Sequence, residues 1–240
     1  MGNFIRFLTV SLFVSFFYVF SVTAQEEKTE LSEEEVRIAQ QKLLDAVKNL
    51  KKEIKVEVNV ENGGTITGAV QCKRVRHPEN VVVYIEKVGN NDYPVPEEHG
   101  IIDQLNLTYV PHVIAVQKGT TLDFPNSDTV RHNVVSDQNC CNFFNLGTYD
   151  VGVVKHVTFD TLCTVPLACN VHSEMSAFIV VLDNPYFSVT GRDGVFKIDN
   201  VPPGTYKLNA WHERFRTITK DVTVESGKTA NVDFSLKKKK

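Results

Sequence analysis

Hydrophobic and polar positions change their period twice along the chain. Phe7 to Phe20 is an almost unbroken apolar run, and residues 25 to 55 then place Val36, Ala39, Leu43, Val47, Leu50 and Ile54 on a helical repeat among Glu, Lys and Gln. Ser32 followed by Glu33, Glu34 and Glu35 reads as a capped start with acidic residues in the first turn. The expected element is one amphipathic helix or spacer of about five turns. From Lys55 onward the apolar positions shorten into β-branched runs bounded by Gly, Pro and Asn: Thr65–Gln71, Val81–Glu86, Leu105–Tyr109, His112–Gln117, Thr120–Phe124, Val151–Phe159, Thr164–Ala168 and Ala177–Leu182. Many short strands at this spacing predict an all-β Greek-key sandwich or barrel. Beyond it, Thr190–Phe196, Val201–Tyr206, Val222–Glu225 and Val232–Leu236 predict further strands joined by Gly and Pro turns.

Composition adds a location. Arg6, the apolar run and Val22-Thr-Ala24 form an export signal over residues 1-24, with an uncleaved anchor as the alternative. Either way the expectation is an exported, periplasmic or extracellular protein, with no integral membrane span after cleavage. Removing the signal takes away only Arg6 and moves the formal net charge from -3 to -4. Such a mildly acidic chain offers no basic field for nucleic acid. Export lets disulfides persist, and the cysteine count is odd: Cys72, Cys140, Cys141, Cys163 and Cys169. Assigning Cys169 to a metal leaves an even number. Cys140 and Cys141 would form only a strained vicinal bridge with each other, so pairing with Cys163 or Cys72 competes with it.

The chemistry concentrates in Cys169-Asn-Val-His172-Ser-Glu-Met175, with His132 upstream in Asn126-Ser-Asp-Thr-Val-Arg-His132-Asn-Val. A thiolate, two imidazoles and a thioether suit copper cycling between two oxidation states, which makes this a candidate type 1 site for one copper ion. Flanking strands would hold the loop rigid, as fast electron transfer needs. Zinc is the competing metal, and Met175 discriminates against it because thioethers are not among the usual zinc ligands. His112, His156 and His212 are not needed as ligands: His112 and His156 read as surface or core-edge residues, and Trp211-His212-Glu213 as a packed aromatic with polar neighbours, with a partner-facing patch as the alternative. No second His cluster, paired carboxylates or Ser/His/Asp order points to an enzyme.

Residues 101-183 resemble a cupredoxin through Leu107-Thr-Tyr-Val-Pro111, Val116–Thr120, Phe124-Pro-Asn-Ser-Asp128, His132-Asn-Val and Cys169-x-x-His172-x-x-Met175. The gap from His172 to Met175 is like that of amicyanin and shorter than that of plastocyanin; Ser173 stands where proline often follows the second histidine. The resemblance implies a β-sandwich passing single electrons, with His172 as the solvent-edge ligand and Asn133 bonding to the Cys169 side of the loop as an outer support.

The C-terminal segment resembles the transthyretin-like carboxypeptidase regulatory domain through Thr190-x-x-Asp-Gly-x-Phe196 and Val201-Pro-Pro-Gly-Thr-Tyr206. Residues 186-236 alone supply too few strands for a closed sandwich, so 63-88 and 186-236 are expected to fold together with the cupredoxin inserted between them; the simpler arrangement adds 63-88 to the cupredoxin as edge strands. The expected function is an exported one-electron carrier serving a redox partner, a cytochrome or oxidoreductase. The alternative is a copper-binding adhesion or binding module whose second sandwich recognises a partner or glycan.

Overall fold

The computed structural model describes residues 33–73, 75–89 and 92–238. The export signal and Ser32 lie outside them. Helix α1 spans Glu33–Lys48, and no helix among the described residues is long and apolar enough to cross a membrane. The helical repeat therefore stops short of its expected end: Ile54, placed on the helical stripe, sits in β1 (Glu53–Ile54), paired in parallel with a later strand. Glu53 is held there by accepting from the Ser188 hydroxyl and the Val189 amide, contacts that sequence periodicity cannot see.

All the strands lie in one compact unit, Ala46–Lys240. They are β2 (Gly64–Cys72), β3 (Val82–Ile85), β4 (Gly100–Ile101), β5 (Asp103–Leu105), β6 (Thr108–Val110), β7 (Val113–Gln117), β8 (Thr121–Pro125), β9 (His132–Ser136) and β10 (Asn145–Tyr149). There follow β11 (Val154–Thr158), β12 (Thr164–Ala168), β13 (Ser176–Leu182), β14 (Phe187–Val189), β15 (Val195–Val201), β16 (Gly204–Trp211), β17 (Ile218–Val224), β18 (Thr229–Asn231) and β19 (Phe234–Leu236). The fold is all-β with one helix. Leu105–Tyr109, expected as one strand, is a hairpin: Asn106 and Leu107 adopt positive φ (51° and 59°), and β5 and β6 pair across them. A leucine in that region carries no turn signal.

Four sheet layers stack through three apolar interfaces. The sheet β1-β7-β13-β12-β9-β10 faces β11-β8-β4, and between them lies a core of Ile114, Val116, Leu122, Phe124, Val134, Phe159, Ile179 and Val181. The sheet β14-β3-β16-β17 faces β15-β2-β18, with β19 also on β2; its core includes Ile66, Val83, Ile85, Phe196, Leu208 and Phe234. The third interface joins the two sandwiches: Val82 and Phe187 meet Val113, Ala115, Val180 and Leu182. Strands β3, β7 and β13 are thus buried on both faces, which is why Val81-Val-Val and Phe178-Ile-Val-Val-Leu182 read as continuous apolar runs rather than alternating ones.

Connectivity follows from the pairing. β2 bonds to β15, β18 and β19, and β3 bonds to β14 and β16. The chain leaves the second sandwich after β3, completes the first, and returns at β14.

Candidate metal centre

β12 and β13 form an antiparallel pair whose last register match is Ala168 with Ser176. The seven residues between them are the Cys169–Met175 loop, tied internally by the Met175 amide donating to the His172 carbonyl at 3.2 Å. β9, beginning at His132, pairs with β12 at Val135–Ala168 and Ser136–Leu167. The start of one strand and the loop after its neighbour therefore come together at one end of the sandwich.

Three of the four expected ligands converge there. Single ligand atoms of His132, Cys169 and His172 all lie within 4.8 Å of one another. The two Nδ1 atoms are 3.0 Å apart, and the His172 Nδ1 is 4.0 Å from the Cys169 sulfur. A first-row cation bonded to nitrogen at about 2.0 Å and to thiolate at about 2.3 Å suits a triad of this size. His132 is fully buried and Cys169 is 5% exposed, whereas His172 reaches solvent beside the exposed Val171. Met175 closes the loop at 1% exposure, in the same apolar core as Cys169.

A buried carboxylate orients the first of these donors. His132 Nε2 donates to Asp128 Oδ2 at 2.8 Å, which leaves the Nδ1 lone pair facing His172 and Cys169. Burial alone would push the Asp128 carboxyl up, but amide bonds from Leu107 and Thr129, with the His132 bond, hold it below the usual carboxylate value. The Nδ1 atoms of His132 and His172 therefore face each other at 3.0 Å beside the Cys169 sulfur. Two imidazole nitrogens and a cysteine sulfur are the donor set of a soft-to-borderline ion, so the residues fit copper.

Asn133 braces the cysteine from three directions. Its amide donates to the Cys169 sulfur at 3.4 Å, its Oδ1 accepts from the Asn170 amide at 3.3 Å, and its Nδ2 donates to Asn145 Oδ1 at 2.9 Å. The Tyr109 hydroxyl lies 2.6 Å from the Asn133 carbonyl and 2.9 Å from that of Ala168, joining the two chain segments that carry His132 and Cys169. Burial, and then the neighbouring Cys169, pushes the Tyr109 phenol far above its usual range, so it stays a neutral donor. Sequence reasoning places Tyr109 and Asp128 within cupredoxin-like motifs but gives neither a role at the site.

Among the described residues the cysteines divide into one bridge, Cys141–Cys163, and free Cys72, Cys140 and Cys169. The bridge ties the loop after β9 to the residue before β12. Cys72 lies in the second sandwich's core, where burial pushes its thiol up.

Among comparisons with known proteins, residues 176–237 match the family model of the carboxypeptidase regulatory-like domain. The match begins on β13, a strand of the first sandwich, and continues through the second. No curated protein matches the chain. Solved structures with similarity include a copper-containing nitrite reductase from Thermus scotoductus SA-01, 21% identical over 41% of this chain and 25% of that one, with a TM-score of 0.35. A reduced amicyanin variant is 18% identical over 41% of this chain and 97% of its own, with a TM-score of 0.34. A purple cupredoxin from Nitrosopumilus maritimus is 23% identical over 34% and 97%, with a TM-score of 0.31. This chain thus spans a quarter of the nitrite reductase.

Proposed function

We propose that His132, Cys169, His172 and Met175 would hold one type 1 copper ion, and that the protein is an exported carrier of single electrons rather than an enzyme. The observation that carries this reading is the convergence of two imidazole nitrogens and one thiol within 4.8 Å. When bound, copper supplies a one-electron couple. The protein's own groups do the rest: Asp128 fixes the His132 tautomer, the Asn133 amide and side chain hold the thiolate and its loop, and the apolar core behind Met175 excludes water.

His172 is the ligand at the surface, so exchange with a redox partner, a cytochrome or oxidoreductase, runs through its ring edge. The Cys141–Cys163 bridge supports an oxidising compartment outside the cytoplasm.

Adding cupric ion to the metal-free protein should produce an intense thiolate-to-copper absorption in the visible, absent in Cys169→Ser. A protein that stays colourless with copper and binds zinc tightly would end this reading.

A further inference from the structure

On the opposite side of the first sandwich's core from the second sandwich, two metal-ligating side chains meet and a third stands in register beside them, and none belongs to the site above. His99 precedes β4, and its Nδ1 lies 3.1 and 3.2 Å from the two carboxylate oxygens of Asp123 on β8. Asp123 stands in register opposite His156 of β11. On this sheet Leu122 and Val157 turn into the core, so Asp123 and His156, one residue on from each, share the outer face. Two residues along, Thr121 and Thr158 are also opposite each other and their hydroxyls meet at 2.8 Å, so side chains across this pair of strands do touch.

The geometry points to a second metal site, His99–Asp123–His156, that binds a divalent first-row cation through nitrogen and oxygen, cupric ion foremost. The His99 and Asp123 side chains are 52% and 30% exposed and His156 is exposed, which leaves coordination positions open to water. His156 makes no hydrogen bond or ion pair among the described residues, so no existing partner competes for it. Residues directly opposite on antiparallel strands have Cβ atoms about 5 Å apart, a span that an imidazole and a carboxylate can close around one ion. The ring of His156 does not meet the other two, so the site requires this exposed side chain to rotate toward Asp123. Two imidazoles and a carboxylate favour Cu(II) over Zn(II) in the ordinary order of stabilities, and with no thiolate present the ion is not of the strongly absorbing kind. The site escapes a reading of the sequence because its ligands come from a loop and two separate strands.

The test is a titration of the protein with cupric ion, followed by electron paramagnetic resonance and by visible absorption. The expected result is a second equivalent with a nitrogen-and-oxygen signal and no added thiolate band. Its affinity should fall by about tenfold or more in Asp123→Asn and in His156→Gln, while the absorption from Cys169 is unchanged. A titration that yields no nitrogen-and-oxygen signal, whatever happens at Cys169, overturns the site, as does such a signal whose affinity is the same in the Asp123→Asn/His156→Gln double variant. Because these variants leave Cys169 untouched and Cys169→Ser leaves this face untouched, the two sites fail or stand separately.

Discussion

The buried carboxylate of Asp128 accepts a hydrogen bond from His132 Nε2 at 2.8 Å, and that one contact decides which nitrogen of His132 faces the loop of Cys169. Replacing Asp128 with Asn keeps the shape but removes the charge that fixes the tautomer. Copper affinity, measured by competition with a chelator, should fall about 10- to 100-fold. Unchanged affinity and spectrum in Asp128→Asn would show that the tautomer is set elsewhere.

Tyr109 spans the carbonyls of Asn133 and Ala168. In Tyr109→Phe those carbonyls lose their shared donor in a buried setting, a loss of about 1–3 kcal/mol. Urea unfolding of the metal-free protein should give a lower midpoint with an unchanged slope, and the copper-loaded variant should show a broadened visible band as the two segments loosen.

Gly68 has no room for a side chain. A Cβ there would sit 2.0 Å from the Val232 carbonyl oxygen and 3.1 Å from the Phe196 ring. Gly68→Ala must push the chain near Val232 away from β2, at an expected cost of about 1–3 kcal/mol. Thermal unfolding should show a lowered melting temperature, with the visible spectrum of the loaded protein preserved because the change lies in the other sandwich.

The two sandwiches are also joined by an ion pair, His112 Nε2 to Glu213 Oε2 at 3.0 Å. The Glu213 bond, working against burial, raises the His112 pKa, and the same bond lowers that of Glu213. The raised histidine contributes stability that is full below its ordinary value of about 6.5 and is lost as pH rises through the folded value. The lowered glutamate contributes above its ordinary value of about 4.3 and loses this as pH falls through the folded value. The pair is therefore strongest between those limits. Glu213→Gln should flatten the melting temperature against pH across that window; an unaltered profile would remove the pair from any role in joining the sandwiches.

How much of this the sequence displays depends on range. Runs such as Thr164–Ala168 announce themselves because five β-branched or apolar residues between turns have few other uses, and that strand has the bounds the sequence implies. The loop of Cys169, His172 and Met175 is legible for the same reason, since its ligands are local. Ile54 was misread because a strand of two residues has no period of its own and takes its place from β7. The roles of Asp128 and Tyr109 were missed because they exist only once β6, β9 and β12 have come together. A hydrogen bond across 59 residues, as from Tyr109 to Ala168, leaves no local trace.

The interrupted path of the chain has a kinetic meaning. β2 and β3 are made early, yet their partners β14 to β19 are made last, so the apolar stretch around Val81–Ile85 must wait for them while the first sandwich has nearer contacts. On this connectivity the first sandwich can close from its own segment, whereas the outer one must wait for β14 to β19. Truncation between Leu182 and Phe187 would strand two hydrophobic strands beside an otherwise finished domain, an edge prone to aggregation rather than a smaller working protein.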